Sequence, residues 1–280
     1  MEYTLNCNGQ LLDLSTPQVM GILNVTPDSF YAGSRKQTEQ EIACRVEEIL
    51  TQGGSMIDVG ACSTRPDSEP VDEAEEMERL RRALTVVRRE APRAVVSVDT
   101  FRPTVARMVV EEFCADIIND VGAPANSPTS SARSFLQVGE HDMFRMVARL
   151  RVPYIYMSHQ ATMHEMLIDG AAACDHLRSL GQKDIVFDPG FGFGKTLEQN
   201  YSIMEQLECL HALRLPVLVG ISRKSMIYKL LGNTPAEALN GTTLLNTVAL
   251  MKGASILRVH DVKEAVECVT LIGKLKSQNK

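Results

Sequence analysis

Short runs rich in Val and Ile recur along the chain, each followed by a longer stretch in which apolar residues return at helical spacing. The runs begin at Val19, Met56, Ala94, Ile117, Val152, Ile185, Pro216 and Ser255, 23 to 39 residues apart. Parallel strands demand such spacing, because a crossover helix must carry the chain back before the next strand can enter the sheet. The intervening stretches predict helices over 39–50, 72–89, 103–113, 143–151, 170–181, 197–213, 236–252 and 262–276. Pro103 suits a first helical turn, and Asp72, Glu73, Glu75 and Glu76 complement the positive end of a helix.

Eight βα units in 280 residues predict an α/β fold, a single (β/α)8 TIM barrel over residues 1–280. A doubly wound sheet is the runner-up, since closing the barrel removes both edge strands. No Pro-, Gly- or Ser-rich linker divides the chain, and residues 124–134, dominated by Ala, Asn, Ser, Pro and Thr, read as an inserted surface loop.

Composition narrows the function classes. With 44% hydrophobic and 23% charged residues and a mean hydropathy of -0.07, the chain is of globular type. A net charge of -6 argues against a nucleic-acid surface, so an anionic substrate must meet a local cluster of Arg and Lys. Seven cysteines without a C-x-x-C pair predict reduced thiols. No apolar run reaches the ~18 residues of a membrane span, and the start lacks a secretory pattern, so a cytoplasmic protein without membrane contact is expected.

Ligands of either architecture sit at the carboxyl ends of the strands. Those ends carry Asn24, the 60–65 loop, Asp99, Asn119 with Asp120, His159, Asp188, the 222–225 segment, and Arg258 with His260. A single such residue is commonly a helix cap or turn former. Six or more converging on one mouth suit a ligand instead: Asp99, Asn119, Asp188 and Lys224 match a flat nitrogen-rich heterocycle, and Asn24, Arg65, Arg258 and His260 match a phosphate or pyrophosphate.

The stretch 188–196 is no Walker loop, because Pro189 stands where that pattern requires Gly; it offers a sharply turning backbone with Phe191 and Phe193 free to wall an aromatic substrate. Arg223 and Lys224 open a helix and place two cationic stems at the mouth. The 73–89 stretch reads as a solvated helix face, and His141, His164, His176 and His211 lack metal-ligand spacing.

These residues resemble those of the dihydropteroate synthase family. Seven blocks carry the likeness: 20–30, Ser63-Thr64-Arg65-Pro66, Ser97-Val98-Asp99-Thr100, Ile118-Asn119-Asp120-Val121, 188–193, 220–226 and 258–262. The resemblance implies a (β/α)8 barrel, a homodimer, and transfer of 6-hydroxymethyl-7,8-dihydropterin from its pyrophosphate to p-aminobenzoate. It further implies a pterin site of Asp99, Asn119, Asp188, Lys224 and Arg258, with Asp99, Asp188, Lys224 and Arg258 as the catalytic set. Pyrophosphate would meet Asn24, Thr64, Arg65, Arg258 and His260, with Asn24 also facing Mg²⁺. The p-aminobenzoate pocket would draw on Thr64, Arg65, Pro66, Phe193, Lys224 and Ser225, and Asp28, Ser29 and Phe30 would form a mobile loop.

The chain departs from the family where Tyr31-Ala32-Gly33 lacks a loop carboxylate, where Asp67 replaces Gly, and where Ser158 separates Met157 from His159. The stretch 123–140 also runs longer, and 160–185 shorter, than the family pattern. Two other readings stay open, a pterin-binding barrel of the methyltetrahydrofolate methyltransferase type and a non-catalytic pterin-binding homologue.

Overall fold

The computed structural model describes residues 3–25, 35–62, 71–122 and 142–278. An antiparallel hairpin, β1 (Thr4–Cys7) and β2 (Gln10–Asp13), precedes eight parallel strands. These are β3 (Gln18–Asn24), β4 (Met56–Gly60), β5 (Val95–Asp99), β6 (Ile117–Asp120), β7 (Tyr154–Met157), β8 (Ile185–Asp188), β9 (Leu218–Val219) and β10 (Ile256–Val259). They pair in the order β8-β7-β6-β5-β4-β3-β10-β9. A bridge between Phe187 and Val217 joins the two ends, and the Phe187 amide donates to the Pro216 carbonyl at 2.9 Å. The predicted (β/α)8 barrel is therefore observed.

The outer layer comprises α1 (Arg35–Thr51), α2 (Glu73–Glu90), α3 (Pro103–Phe113), α4 (Asp142–Leu150), α5 (Met163–Ser179), α6 (Leu197–Glu205), α7 (Ser225–Leu231), α8 (Leu239–Met251) and α9 (Val262–Ser277). Strands covered on both faces read as unbroken apolar runs, which is why their starts were legible. Outward-facing Ile57, Val59, Val96, Val98, Ile118 and Phe187 join the helices in the main core.

The helix expected over 39–50 begins already at Arg35, and three further departures each have a local reason. The helix expected from 170 begins at Met163, where the Thr162 side chain caps the Glu165 amide. Gly170 is no start signal: a Cβ there would lie 2.7 Å from both Phe187 and Leu213, so glycine permits the helix to lie close. The 197–213 helix breaks at Gln206 into α6 and a 3-10 segment, Leu207–Leu213. The 236–252 helix is preceded by a 3-10 turn, Pro235–Glu237, closed by a Thr234–Glu237 capping box.

The hairpin was not anticipated. It plugs the amino end of the barrel, where Leu5, Cys7 and Leu14 pack against a floor made by one residue from every strand: Met20, Met56, Val95, Ile117, Ile155, Val186, Leu218 and Ile256. Truncating Leu5, which is 2% exposed, to Ala should lower the unfolding free energy by about 2–5 kcal/mol. Urea titration checks this, and a loss below about 1 kcal/mol would show that the plug is not part of the core.

Candidate active site

Side chains two residues apart on a strand share a face, so the floor residues fix what stands above them. Two positions beyond Met56, Val95, Ile117, Val186 and Ile256 come Asp58, Ser97, Asn119, Asp188 and Arg258. The barrel interior thus changes from apolar to polar in one step of the pleat. The Arg258 Nε donates to Asp58 Oδ2 at 2.6 Å, its Nη2 donates to Asp99 Oδ2 at 3.1 Å, and the Asn119 amide donates to Asp58 Oδ2 at 3.1 Å.

Asp58 and Asn119 are completely buried. Burial pushes the Asp99 carboxyl up to about 8, with the Arg258 guanidinium opposing and the Asp58 carboxylate reinforcing the shift. Among the described residues Asp58 Oδ1, Asn119 Oδ1 and Ser97 Oγ are buried without a partner. An unsatisfied buried polar atom costs about 1–3 kcal/mol, so this wall suits a ligand rich in N–H donors.

The opposite wall comes from the turn after β8. Asp188 Oδ1 accepts the Gly190 amide at 2.7 Å, and Gly190 has a φ of +64°, where a Cβ would stand 2.5 Å from the Ser158 carbonyl oxygen. Only glycine fits that turn. Lys224 Nζ donates to the Phe191 carbonyl at 2.5 Å and lies 4.4 Å from the centre of the Phe193 ring, a cation–π contact. Burial lowers Lys224 to about 7 against the pull of Asp188. It also raises Asp188, with Lys224 as the main opposing charge. Lys195, whose Nζ donates to the Ser158 and Gly190 carbonyls at 3.1 and 2.9 Å, is lowered by burial to about 8. Ser225 opens α7 beside Lys224.

A third group of side chains flanks the cluster at the ends of β3 and β10. Asn24 is exposed, and a Cβ on Gly60 would lie 3.4 Å from its Oδ1 and 3.6 Å from Asp99 Cβ, which sets Asn24 and Asp99 around the same glycine. His260 lines a cavity of about 310 Å³ with Asn24, Thr38, Glu41 and Arg45. Burial lowers its imidazole to about 4, and Arg258 adds to the shift. Arg45 spans the two strand ends, donating to the Ile22 carbonyl at 3.2 Å and the His260 carbonyl at 2.6 Å.

Asp99, Asn119, Asp188, Lys224 and Arg258 thus form one electrostatic cluster, with Asn24, His260, Phe193 and Ser225 on its border. Three expectations need correction. Arg223 supplies no cation to the mouth: with a φ of +55° its guanidinium turns to Asp261, at 2.9 and 2.8 Å, and to the Pro235 and Ala236 carbonyls. Phe191 is fully buried in the core rather than walling the mouth. The α2 helix is not solvated throughout, because Glu76 and Arg79 are buried. Arg79 donates to the Ala61 carbonyl, while Glu76 pairs with Arg102 and accepts from Thr100.

Thr64, Arg65, Pro66, Asp28, Ser29 and Phe30 lie outside the described residues, as do Tyr31, Ala32, Gly33, Asp67 and 123–140. Arg102 joins the flanks of one such segment, donating to the Val71 carbonyl at 2.6 Å and approaching Cys62 Sγ at 3.7 Å. Asp58, Arg45, Glu76 and Lys195 escaped the strand-end reading. Asp58 carried a signal all the same: it lies on the same strand face as Met56 and Gly60.

Comparison with known proteins agrees with this geometry. A family model described as pterin binding enzyme matches residues 20–260. The dihydropteroate synthase of Escherichia coli strain K12 is 38% identical over 272 residues, covering 96% of this chain and 95% of the relative. The Xanthomonas albilineans dihydropteroate synthase solved with 4-aminobenzoic acid superposes with a TM-score of 0.83 at 32% identity, covering 99% of both chains. The Thermus thermophilus dihydropteroate synthase solved with 6HMPPP superposes with a TM-score of 0.79 at 32% identity, covering 98% of this chain and 100% of the other. Matched from end to end in sequence and in barrel geometry, the chain belongs to the dihydropteroate synthase family of pterin-binding enzymes.

Proposed function

We propose that this transferase of folate biosynthesis joins 6-hydroxymethyl-7,8-dihydropterin pyrophosphate to p-aminobenzoate by a dissociative substitution. The observation that carries the reading is the convergence of Asp58 and Asp99 on Arg258, with Asn119 bonded to Asp58 and with Asp188 and Lys224 facing them across one opening. Solved relatives bound to 4-aminobenzoic acid and to 6HMPPP support the same pair of substrates.

Asp99, Asn119 and Asp188 accept from the ring N–H groups, Lys224 donates to a ring acceptor, and the Arg258 plane stacks against the ring. Pyrophosphate meets Arg258, His260 and Asn24, together with Thr64 and Arg65. The methylene–oxygen bond breaks, its electron pair leaves with pyrophosphate, and the cation left behind is delocalised into the pterin beside the Asp99 and Asp188 carboxylates. The p-aminobenzoate nitrogen then attacks the methylene and loses a proton. Thr64, Arg65, Pro66, Phe193, Lys224 and Ser225 hold this second substrate, and Asp28, Ser29 and Phe30 shield the cation from water.

Asn24 offers a single exposed amide oxygen, and among the described residues no group of three His, Cys, Asp or Glu could hold a metal. That donor set fits a Mg²⁺ ion held largely by the pyrophosphate oxygens. When bound, it would neutralise charge on the leaving group. All seven cysteines are free thiols, which supports a cytoplasmic setting; no helix among the described residues is long and apolar enough to cross a membrane. Leu244 and Met251 of α8 and Leu271 and Leu275 of α9 are exposed on adjacent helices linked by a Lys276–Leu250 hydrogen bond. Such an apolar face supports a homodimer.

Three measurements test these assignments. With pterin pyrophosphate, p-aminobenzoate and Mg²⁺, the purified chain should form dihydropteroate. Asp58→Asn should lower kcat/KM about a hundredfold, on the scale of about 3 kcal/mol for a lost preorganised charge contact; product no greater than from a Lys224→Ala control would refute the activity.

The His260 shift predicts a pH effect. Its folded value lies below its ordinary 6.5, so between about 4 and 6.5 the unfolded chain binds the extra proton and stability rises with pH. The unfolding free energy of the parent minus that of His260→Gln should therefore climb by up to about 3 kcal/mol across that window, and a flat difference contradicts the assignment. Finally, Leu271→Glu combined with Leu275→Glu should halve the mass seen by sedimentation equilibrium, whereas a parent that sediments as a monomer would remove the dimer from the proposal.

A further inference from the structure

We propose that Ser222 is a positioning residue that holds His260 as the Nε2–H tautomer, so that the ring presents a donor rather than a lone pair to the leaving pyrophosphate. The identity of the anion rests on the function proposed above; the tautomer follows from the geometry alone.

Strands β9 and β10 pair with Leu218 opposite Ile256 and Val219 opposite Leu257. Ser222 and His260 each follow three residues after the paired Val219 and Leu257, just past the ends of the two strands. The Ser222 hydroxyl accepts the His260 backbone N–H at 3.1 Å and lies 3.0 Å from the ring Nδ1. Ser222 is 5% exposed. A serine hydroxyl owns one proton and two lone pairs. The backbone amide occupies one lone pair, and among the described residues the only acceptor within reach of the proton is Nδ1. A proton on Nδ1 would leave the hydroxyl hydrogen buried without an acceptor, an arrangement that folded proteins avoid. The hydroxyl therefore donates to Nδ1, and the ring proton resides on Nε2.

Burial keeps the imidazole neutral, which is the form in which the tautomer matters. Arg258, Arg45 and Arg223 add to that effect, and Asp261 opposes it. Asp261 is already engaged in a two-pronged pair with Arg223. Arg45 grips the His260 carbonyl at 2.6 Å, so backbone and ring are fixed from two sides. With Nδ1 turned to Ser222, Nε2 points away from it, and His260 borders the cavity it shares with Asn24. In the opposite tautomer a lone pair would face phosphate oxygens and repel them. One hydroxyl thus sets whether this ring attracts or repels the anion.

The test uses the full chain labelled with ¹⁵N-histidine. A two-bond ¹⁵N–¹H correlation near pH 7, with the His260 signals assigned by their loss in His260→Gln, should show a protonated Nε2 and an unprotonated Nδ1. Ser222→Ala should move both nitrogens to intermediate shifts, and Ser222→Thr, which keeps the hydroxyl, should restore the parent pattern. Calorimetry with inorganic pyrophosphate and Mg²⁺ should show binding about tenfold weaker in Ser222→Ala, equal to about 1.4 kcal/mol, and near the parent in Ser222→Thr. A parent spectrum with the proton on Nδ1 overturns the inference without recourse to any variant, as does a Ser222→Ala protein with unchanged tautomer and unchanged pyrophosphate affinity. A parent with the Nε2–H tautomer but no pyrophosphate affinity upholds the tautomer and overturns the anion assignment instead.

Discussion

The guanidinium of Arg258, shared between Asp58 and Asp99 inside the barrel, is the interaction on which the site depends. A carboxylate as deeply buried as Asp58, fully inaccessible to solvent, is tolerable only when paired and hydrogen-bonded. Arg258 provides the pairing at 2.6 Å and Asn119 adds a hydrogen bond to the same oxygen. Because Asp58, Asp99, Asn119 and Arg258 come from four strands, this one polar knot fixes the relative positions of β4, β5, β6 and β10 at the height where a ligand enters. Asp99, less enclosed and sharing its cation, is the member whose carboxyl is pushed up by burial, so it remains responsive to what binds.

The eight strand starts were legible because strands buried on both faces have no alternation to obscure them; Met56, Ile117 and Ile185 begin strands in the structure as in the sequence. Strand-end polarity likewise located Asp99, Asn119, Asp188 and Arg258. Asp58 was missed because each strand was read only to its last residue, whereas the pleat brings alternate residues onto one face. Arg223 was misread for a different reason: a basic residue after a strand carries no information on its φ, and the left-handed turn at Arg223 sends it to Asp261. Hairpin and helix-break details depend on contacts between distant segments, such as Gly170 against Phe187, which no local pattern encodes. Of the functional readings left open, 38% identity with the Escherichia coli synthase over 96% of this chain favours the transferase.

The barrel divides its labour along its axis. Below, the hairpin and the eight floor residues form a dry core that holds the strands in register. Above, buried acceptors on Asp58 and Asn119 stand unsatisfied, a local cost that the core beneath must offset. Preorganisation of this kind is useful because the polar groups need not reorient when charge develops between them.

The shifts across the cluster all favour the neutral forms. Asp99 and Asp188 hold protons more firmly than ordinary carboxyls, while Lys224 and Lys195 hold them less firmly than ordinary amines. Burial drives all four shifts, and each opposes charge separation inside the barrel. A ligand that brings N–H donors to the carboxylates reverses the penalty on their side, and a cation forming on its methylene does so more strongly. Under the proposed dissociative route, the site is therefore more hospitable to carboxylate charge at the moment of bond cleavage than before it. That difference between ground state and transition state, rather than tight binding as such, is what accelerates a reaction.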